Sequence, residues 1–216
     1  RCISYCIKVG EKLKYLVGAR GSKLSLTQTN WVISELKKIN PDSEYEIKPI
    51  TTKGDTDTRP LFTIEQKGIF EKEIDRAVAE KEVDFAVHSL KDVPSELADN
   101  LIIASIPKRE KVNDVFISSD GSSLDEIKAG SVIGTSSLRR AVQVSRKRSD
   151  VVVKPIRGNI ETRIKKTSEE NYDAIVLAQA GISRLGVDIQ STFLSIDDFS
   201  PSPGQGAIAI VARIDD

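Results

Sequence analysis

From Tyr15 onward, short apolar runs alternate with stretches whose apolar residues recur at helical spacing. Tyr15 to Ala19 is an apolar run that predicts a strand. After it, Leu24, Gln28, Val32, Leu36 and Ile39 fall on one stripe at spacings of four and three, the mark of an amphipathic helix. Pro41-Asp42 breaks that helix, and Tyr45 to Thr52 predicts a second strand. Phe70, Ile74, Ala77 and Val78 line one face of a second helix, and Val83, Phe85 and Val87 alternate as a third strand. Leu101 to Ile106 is a further apolar run, followed by a short connection from Pro107 to Asn113.

A second set of elements begins there. Strands are predicted at Val115 to Ser118, Ser131 to Gly134, Val151 to Ile156 and Ala174 to Ala178, and helices at Leu138 to Arg146 and Ile160 to Lys166. Ser200-Pro-Ser-Pro203 reads as a linker, and Ala207 to Ala212 as a strand without a helix of its own. Repeated strand–helix units with apolar strands define an α/β protein with mostly parallel sheets covered by helices on both faces. A lone late strand after a linker is expected to cross back and complete an earlier sheet. The expected division is a loose extension at residues 1–13, a first lobe at 14–106 plus 201–216, and a second lobe at 107–200.

Composition narrows the chemistry. The 216 residues include 39% hydrophobic and 30% charged residues, which fits a soluble globular chain. No apolar stretch approaches the roughly 18 residues of a membrane span. With one histidine, His88, and two cysteines, Cys2 and Cys6, four apart near the start, neither a multi-histidine metal site nor a disulfide framework is expected. Lysine plus arginine balance aspartate plus glutamate, 32 against 32, so no global charge draws the chain to nucleic acid or to a membrane. The chain has no methionine, and Arg1 to Lys12 lacks the pattern of a signal peptide.

Local charge is another matter. In open α/β sheets ligands bind beyond the carboxyl ends of the strands. There the sequence places Arg20-Gly-Ser22, Lys53-Gly-Asp55, Ser89-Leu-Lys91-Asp92, Thr135-Ser-Ser-Leu-Arg139-Arg140, Arg157-Gly-Asn159 and Gln179-Ala-Gly181. Nearly every such loop carries a cation or a cluster of hydroxyls, which predicts a site for small anions. The segment from Thr135 joins a strand to a helix, so free backbone N–H groups add to the hydroxyls of Thr135, Ser136 and Ser137. Arg139 and Arg140 can each grip a carboxylate with two parallel hydrogen bonds. Arg157 and Arg163 flank another helix start, where Gly158 and Asn159 allow close backbone approach. Taken singly, these residues also fit plain helix caps and solvated surface arginines; their shared position favours an anion cleft.

Asp92 has two readings, a salt bridge with Lys91 or a nearby arginine, and a carboxylate held ionised among cations to stabilise a cationic intermediate or move a proton. His88 reads as a hydrogen-bonded structural residue, Trp31 as helix packing, and Asp55 with Asp57 as a weak signal.

These residues closely resemble porphobilinogen deaminase (hydroxymethylbilane synthase). The resemblance rests on Ala19–Gln28, Lys67-Gly-Ile-Phe70, Asp84–Pro94, Gly134–Arg140, Arg157-Gly-Asn159, Tyr172–Ala178, Arg184-Leu-Gly186 and Pro203-Gly-Gln-Gly-Ala207. It runs from about Tyr15 to Asp216. It implies two lobes like type II periplasmic binding proteins, then a third domain. It also implies a transferase of heme biosynthesis, located in the cytoplasm, that condenses four porphobilinogen molecules into hydroxymethylbilane and releases ammonia. Each pyrrole of substrate and growing polypyrrole carries an acetate and a propionate.

By the same resemblance, Asp92 would stabilise positive charge on a pyrrole nitrogen as ammonia leaves. Arg20, Ser22, Ser89, Lys91, Thr135, Ser136, Ser137, Arg139, Arg140, Arg157, Gly158, Asn159, Arg163 and Arg184 would hold carboxylates of the dipyrromethane cofactor, the chain and the incoming substrate. The family anchors that cofactor to a third-domain cysteine. Here the sequence ends at Arg213-Ile-Asp-Asp216, Cys2 and Cys6 match no family motif, and Lys23 stands where proline is frequent. A fragment, one subunit of a split deaminase with a separate third-domain polypeptide, and a non-catalytic polycarboxylate-binding module all remain open at this point. The chain by itself is expected to carry no dipyrromethane adduct.

Overall fold

The computed structural model describes residues 13–56, 71–169 and 172–216. Cys2, Cys6, Asp57 and the Lys67–Phe70 motif lie outside the described residues, as does nearly all of the expected N-terminal extension.

The first strand, β1 (Lys14–Arg20), leads through Ser22 into α1 (Lys23–Ile39). The Ser22 hydroxyl accepts a hydrogen bond from the Ser25 amide at 3.3 Å, satisfying one of the free donors at the helix start. The buried face of α1 is Ser25, Gln28, Thr29, Val32 and Ile33, rotated from the predicted stripe. Thr29 can be buried because its hydroxyl donates to the Ser25 carbonyl one turn back, at 2.9 Å. Ile39, in the last turn, is left 75% exposed beyond the sheet.

Next come β2 (Glu44–Ile50), the single turn α2 (Lys53–Thr56), α3 (Lys72–Ala79) and β3 (Phe85–Ser89). A 3-10 turn, Leu90–Asp92, closes β3, and β4 (Leu101–Ser105) follows. The chain then crosses to a second set. This comprises β5 (Asp114–Ser118), β6 (Val132–Gly134), α4 (Leu138–Lys147), β7 (Val152–Lys154), α5 (Ile160–Glu169), β8 (Ala174–Ala178), α6 (Gln179–Leu185) and β9 (Thr192–Phe193). Finally it returns as β10 (Ile208–Arg213).

The two sheets share one plan. The first runs β2-β1-β3-β10-β4 and the second β7-β6-β8-β5-β9. In each, three strands pair in parallel, and a strand entering from a crossing pairs antiparallel on both sides: β10 in the first, β5 in the second. The sheets are therefore mixed, because a strand that arrives after a crossing fills its gap in the opposite direction. The late apolar strand does return to the first sheet, where Ile208 to Ala212 pair with Ser89 to Phe85.

Each sheet is packed on both faces, as alternation within the strands requires. Ala86 of β3 faces Ile74 and Val78 of α3, while Val87 faces Val32 and Ile33 of α1. In the second sheet Phe116 joins Ile133 and Val144, while Val115 and Ile117 pack with Ile156 and Ile182. His88 is buried and contacts Asp75 Oδ1 through Nε2 at 2.9 Å, a structural pair. Trp31 packs at the edge of the α1 core.

The two crossings meet at Gly206. Its φ is +85°, and a β-carbon there would lie 2.6 Å from the Glu110 carbonyl oxygen, so only glycine lets the segments touch. Among the described residues no helix is long and apolar enough to cross a membrane.

Candidate functional site

Between the sheets, where the loops after β1, β3, β6, β7 and β8 converge, lies a cleft of about 730 Å3. Arg20, Ser22, Ser89, Lys91, Asp92, Ser136, Ser137, Arg139, Arg140, Arg157, Gly158, Asn159, Arg163 and Arg184 all line it. Thr135 is the exception among the predicted residues. It is buried, and its hydroxyl oxygen accepts from the Ser137 amide at 3.2 Å, so it shapes the loop from within.

Helix starts supply much of the wall. Ser137 caps α4 by accepting from the Arg140 amide at 3.4 Å. Asn159 Oδ1 accepts from the Thr162 amide at 2.9 Å and from its hydroxyl at 2.7 Å at the start of α5. Gly158 precedes it at φ +116°, where a β-carbon would come within 2.7 Å of Thr162 Cγ2. Gln179-Ala-Gly181, expected as a loop, is already the first turn of α6. The helix starts there without a side-chain cap and ends at Gly186 in the left-handed conformation, so the usual sequence marker stands only at its far end.

Two cations of the cleft have neutral internal partners. Arg163 Nε donates to the Gly158 carbonyl and Arg184 Nη2 to the Gly206 carbonyl, each at 2.7 Å. Carbonyl oxygens orient these forks but leave their charge uncompensated, which suits an anionic ligand. Burial lowers the Arg163 pKa to about 10, with the like charges of Arg140 and Arg157 adding to the effect. Burial also lowers that of Arg184, opposed by Glu110. Lys91 is accessible from the cleft, yet the surrounding protein displaces enough bulk water to lower its pKa, and Arg140 and Arg139 push the same way against Asp92 and Asp114.

Asp92 sits on the 3-10 turn, exposed to the cleft, and makes no hydrogen bond or ion pair among the described residues. The salt-bridge reading of Asp92 with Lys91 is therefore not the arrangement seen. Glu161, the other lining carboxylate besides Asp92, pairs with Lys23 across the cleft.

The carboxylate that Arg139 and Arg140 share belongs to the protein, and each gives it one hydrogen bond rather than the expected two parallel bonds. Asp114 accepts from Arg139 Nη2 at 2.8 Å and from Arg140 Nη2 at 2.7 Å. Asp114, Gln205, Gln28, Lys23 and Glu161 are the site residues that the sequence reading did not assign. Gln28 meets the Ser89 hydroxyl at 2.9 Å, and its place on an otherwise apolar stripe was a usable signal.

This cleft predicts an alkaline titration. Loss of the Lys91 proton removes a cation, so polycarboxylate affinity is expected to fall as pH rises, beginning below the ordinary lysine range. Lys91→Arg should move the onset of that fall to higher pH, as measured by calorimetry across the pH series. An unchanged profile in Lys91→Arg would assign the titration elsewhere.

The fold is the two-lobed α/β arrangement of type II periplasmic binding proteins. It resembles the regulatory domain of OxyR2 from Vibrio vulnificus, with a TM-score of 0.55 and 11% identity, covering 97% of this chain and 91% of that one. It also resembles a probable amino-acid ABC transporter extracellular-binding protein of Bacillus subtilis, with a TM-score of 0.51 and 10% identity over 94% and 85% of the chains. The chain belongs to the porphobilinogen deaminase family. Residues 15–216 match the family model described as "Porphobilinogen deaminase, dipyromethane cofactor binding domain". The chain is 83% identical over 204 residues to a protein of Nitrosopumilus maritimus named probable porphobilinogen deaminase, covering 94% of this chain and 66% of that protein. A porphobilinogen deaminase of Listeria innocua is 51% identical over 208 residues, 94% of this chain and 67% of its own length. The chain thus spans about two thirds of the length of these curated relatives.

Proposed function

We propose that this chain forms the substrate- and cofactor-binding cleft of a porphobilinogen deaminase, a transferase that joins porphobilinogen units head to tail with release of ammonia. The observation that carries the reading is a cleft lined by several cations, of which Arg163 and Arg184 bond to neutral carbonyls, together with the unpaired carboxylate of Asp92. A ligand bearing several carboxylates satisfies the cations; a cation forming on that ligand satisfies Asp92. A polycarboxylate receptor would gain nothing from Asp92, which counts against a purely binding role.

The residues fit the dipyrromethane group. Its acetates and propionates match Arg20, Lys91, Arg139, Arg157, Arg163 and Arg184, with Ser22, Ser89, Ser136, Ser137 and the Gly158-Asn159 backbone as neutral donors. When bound, that group supplies the primer from which the polypyrrole grows. Arg140, held beneath the surface, lends charge more than contact. Asp92, facing the cleft, stabilises positive charge at the pyrrole nitrogen of porphobilinogen as its amino group departs, which lowers the barrier without aiding ground-state binding. Residues 14–106 with 201–216 form one lobe in this reading and 107–200 the other, in agreement with sheet membership. A cytoplasmic location goes with it, and so does a further polypeptide segment that supplies the primer's anchor.

Calorimetry of the purified chain with porphobilinogen tests the reading. Saturable binding, lost in Arg157→Leu, is expected, and ammonia release should follow when a third-domain polypeptide is present. No binding of porphobilinogen would remove the assignment.

A further inference from the structure

Two adjacent guanidinium groups, Arg139 and Arg140, repel one another and need an anion to hold them side by side. Asp114 is that anion. Its side chain is 0% exposed, against 26% for Arg139 and 8% for Arg140. Oδ2 accepts from Arg139 Nη2 at 2.8 Å, while Oδ1 accepts from Arg140 Nη2 at 2.7 Å and Gln205 Nε2 at 2.8 Å. Arg140 and Gln205 complete this buried floor, and the Arg139 side chain stays partly exposed and lines the cleft.

The same carboxylate gathers both chain crossings. Asp114 opens β5 directly after the outgoing segment, and Gln205 belongs to the returning one. Gln205 Nε2 also donates to the Val112 carbonyl at 2.6 Å, and Arg109 Nε donates to the Gln205 carbonyl at 2.8 Å. Arg139 Nη1 donates to the Ser200 carbonyl. One buried anion therefore joins a cleft cation to the two segments between the lobes.

We propose that Asp114 is a positioning residue for the deaminase reaction: it aims Arg139 at a ligand carboxylate and ties that aim to the crossings. The proposal rests on the cleft being the porphobilinogen site. Asp114 touches no ligand. One bond to Asp114 and one to the Ser200 carbonyl fix the direction of the Arg139 fork, and the carboxylate cancels one of two neighbouring charges. A buried charge that served stability alone would change folding stability without moving the Arg139 signal or the ligand affinity.

Asp114→Glu keeps the charge and moves it by one methylene, whereas Asp114→Asn removes it. In the full chain, calorimetry would follow porphobilinogen and citrate, with circular dichroism for folding and the Arg139 Nε–Hε NMR signal for the fork. The expected result is a folded Asp114→Glu that shifts the Arg139 signal and binds both ligands about tenfold more weakly. Its effect on binding should vanish in an Arg139→Gln background. A folded Asp114→Glu with an unmoved Arg139 signal and affinities within about twofold of wild type overturns the proposal. If Asp114→Asn fails to fold, Asp114→Glu decides alone. If wild type binds citrate but not porphobilinogen, the functional reading fails, while the citrate series and the NMR signal still decide the role of Asp114.

Discussion

Asp92→Asn is expected to lower porphobilinogen turnover by roughly a thousandfold or more, while porphobilinogen binds as well as before or more tightly. Its carboxylate is exposed to the cleft and unpaired among the described residues, so removing it takes a repulsive charge away from ligand carboxylates. What disappears is the stabilisation of positive charge that exists only as ammonia leaves. Ammonia release under saturating substrate, compared with calorimetric affinity, separates the two effects. Parallel losses of binding and turnover, as expected for Arg157→Leu, would sink the assignment of Asp92.

Arg140→Leu should have the largest effect on stability, about 3–5 kcal/mol, because it strands part of the charge on a fully buried carboxylate. Burial acts to raise the Asp114 pKa, but Arg140 and Arg139 outweigh it and hold the carboxyl below the ordinary range. A carboxyl with a lowered folded pKa contributes stability above its unfolded pKa and loses it as pH falls through the folded one. In Arg140→Leu that contribution is largely gone, so the deficit against wild type should narrow as pH drops below about 4. Urea unfolding at neutral and acid pH measures it. A deficit under about 1 kcal/mol, indifferent to pH, would mean that the pair acts like an exposed one.

The alternation of apolar runs and helical stripes made the two-sheet α/β plan legible, including the return of the last strand. Strand direction was less so. β5 and β10 read like any other apolar strands, and only the path of the chain makes them antiparallel. The cleft was legible because its residues cluster in short loops after strands. The partners of those residues were not. Asp114 begins an apolar strand and Gln205 sits in a glycine-rich linker, far from Arg140 in sequence, so no spacing rule connects them. Arg139 and Arg140 accordingly looked like two equal ligand clamps, whereas burial makes Arg140 part of the floor. The α1 stripe was misplaced because Ser25 and Thr29 lie on the buried face, and a small hydroxyl side chain that bonds back to its own helix is compatible with burial.

The position of β10 between β3 and β4 sets a timetable for biosynthesis. Strands of the second sheet all lie between Asp114 and Phe193, a continuous stretch that can close once Phe193 has left the ribosome. The first sheet, although translated earlier, has an unfilled slot until Ile208–Arg213 emerges. Until then β3 and β4 present unpaired edges, which on a nascent chain are the places where wrong partners attach. The half made first is completed last.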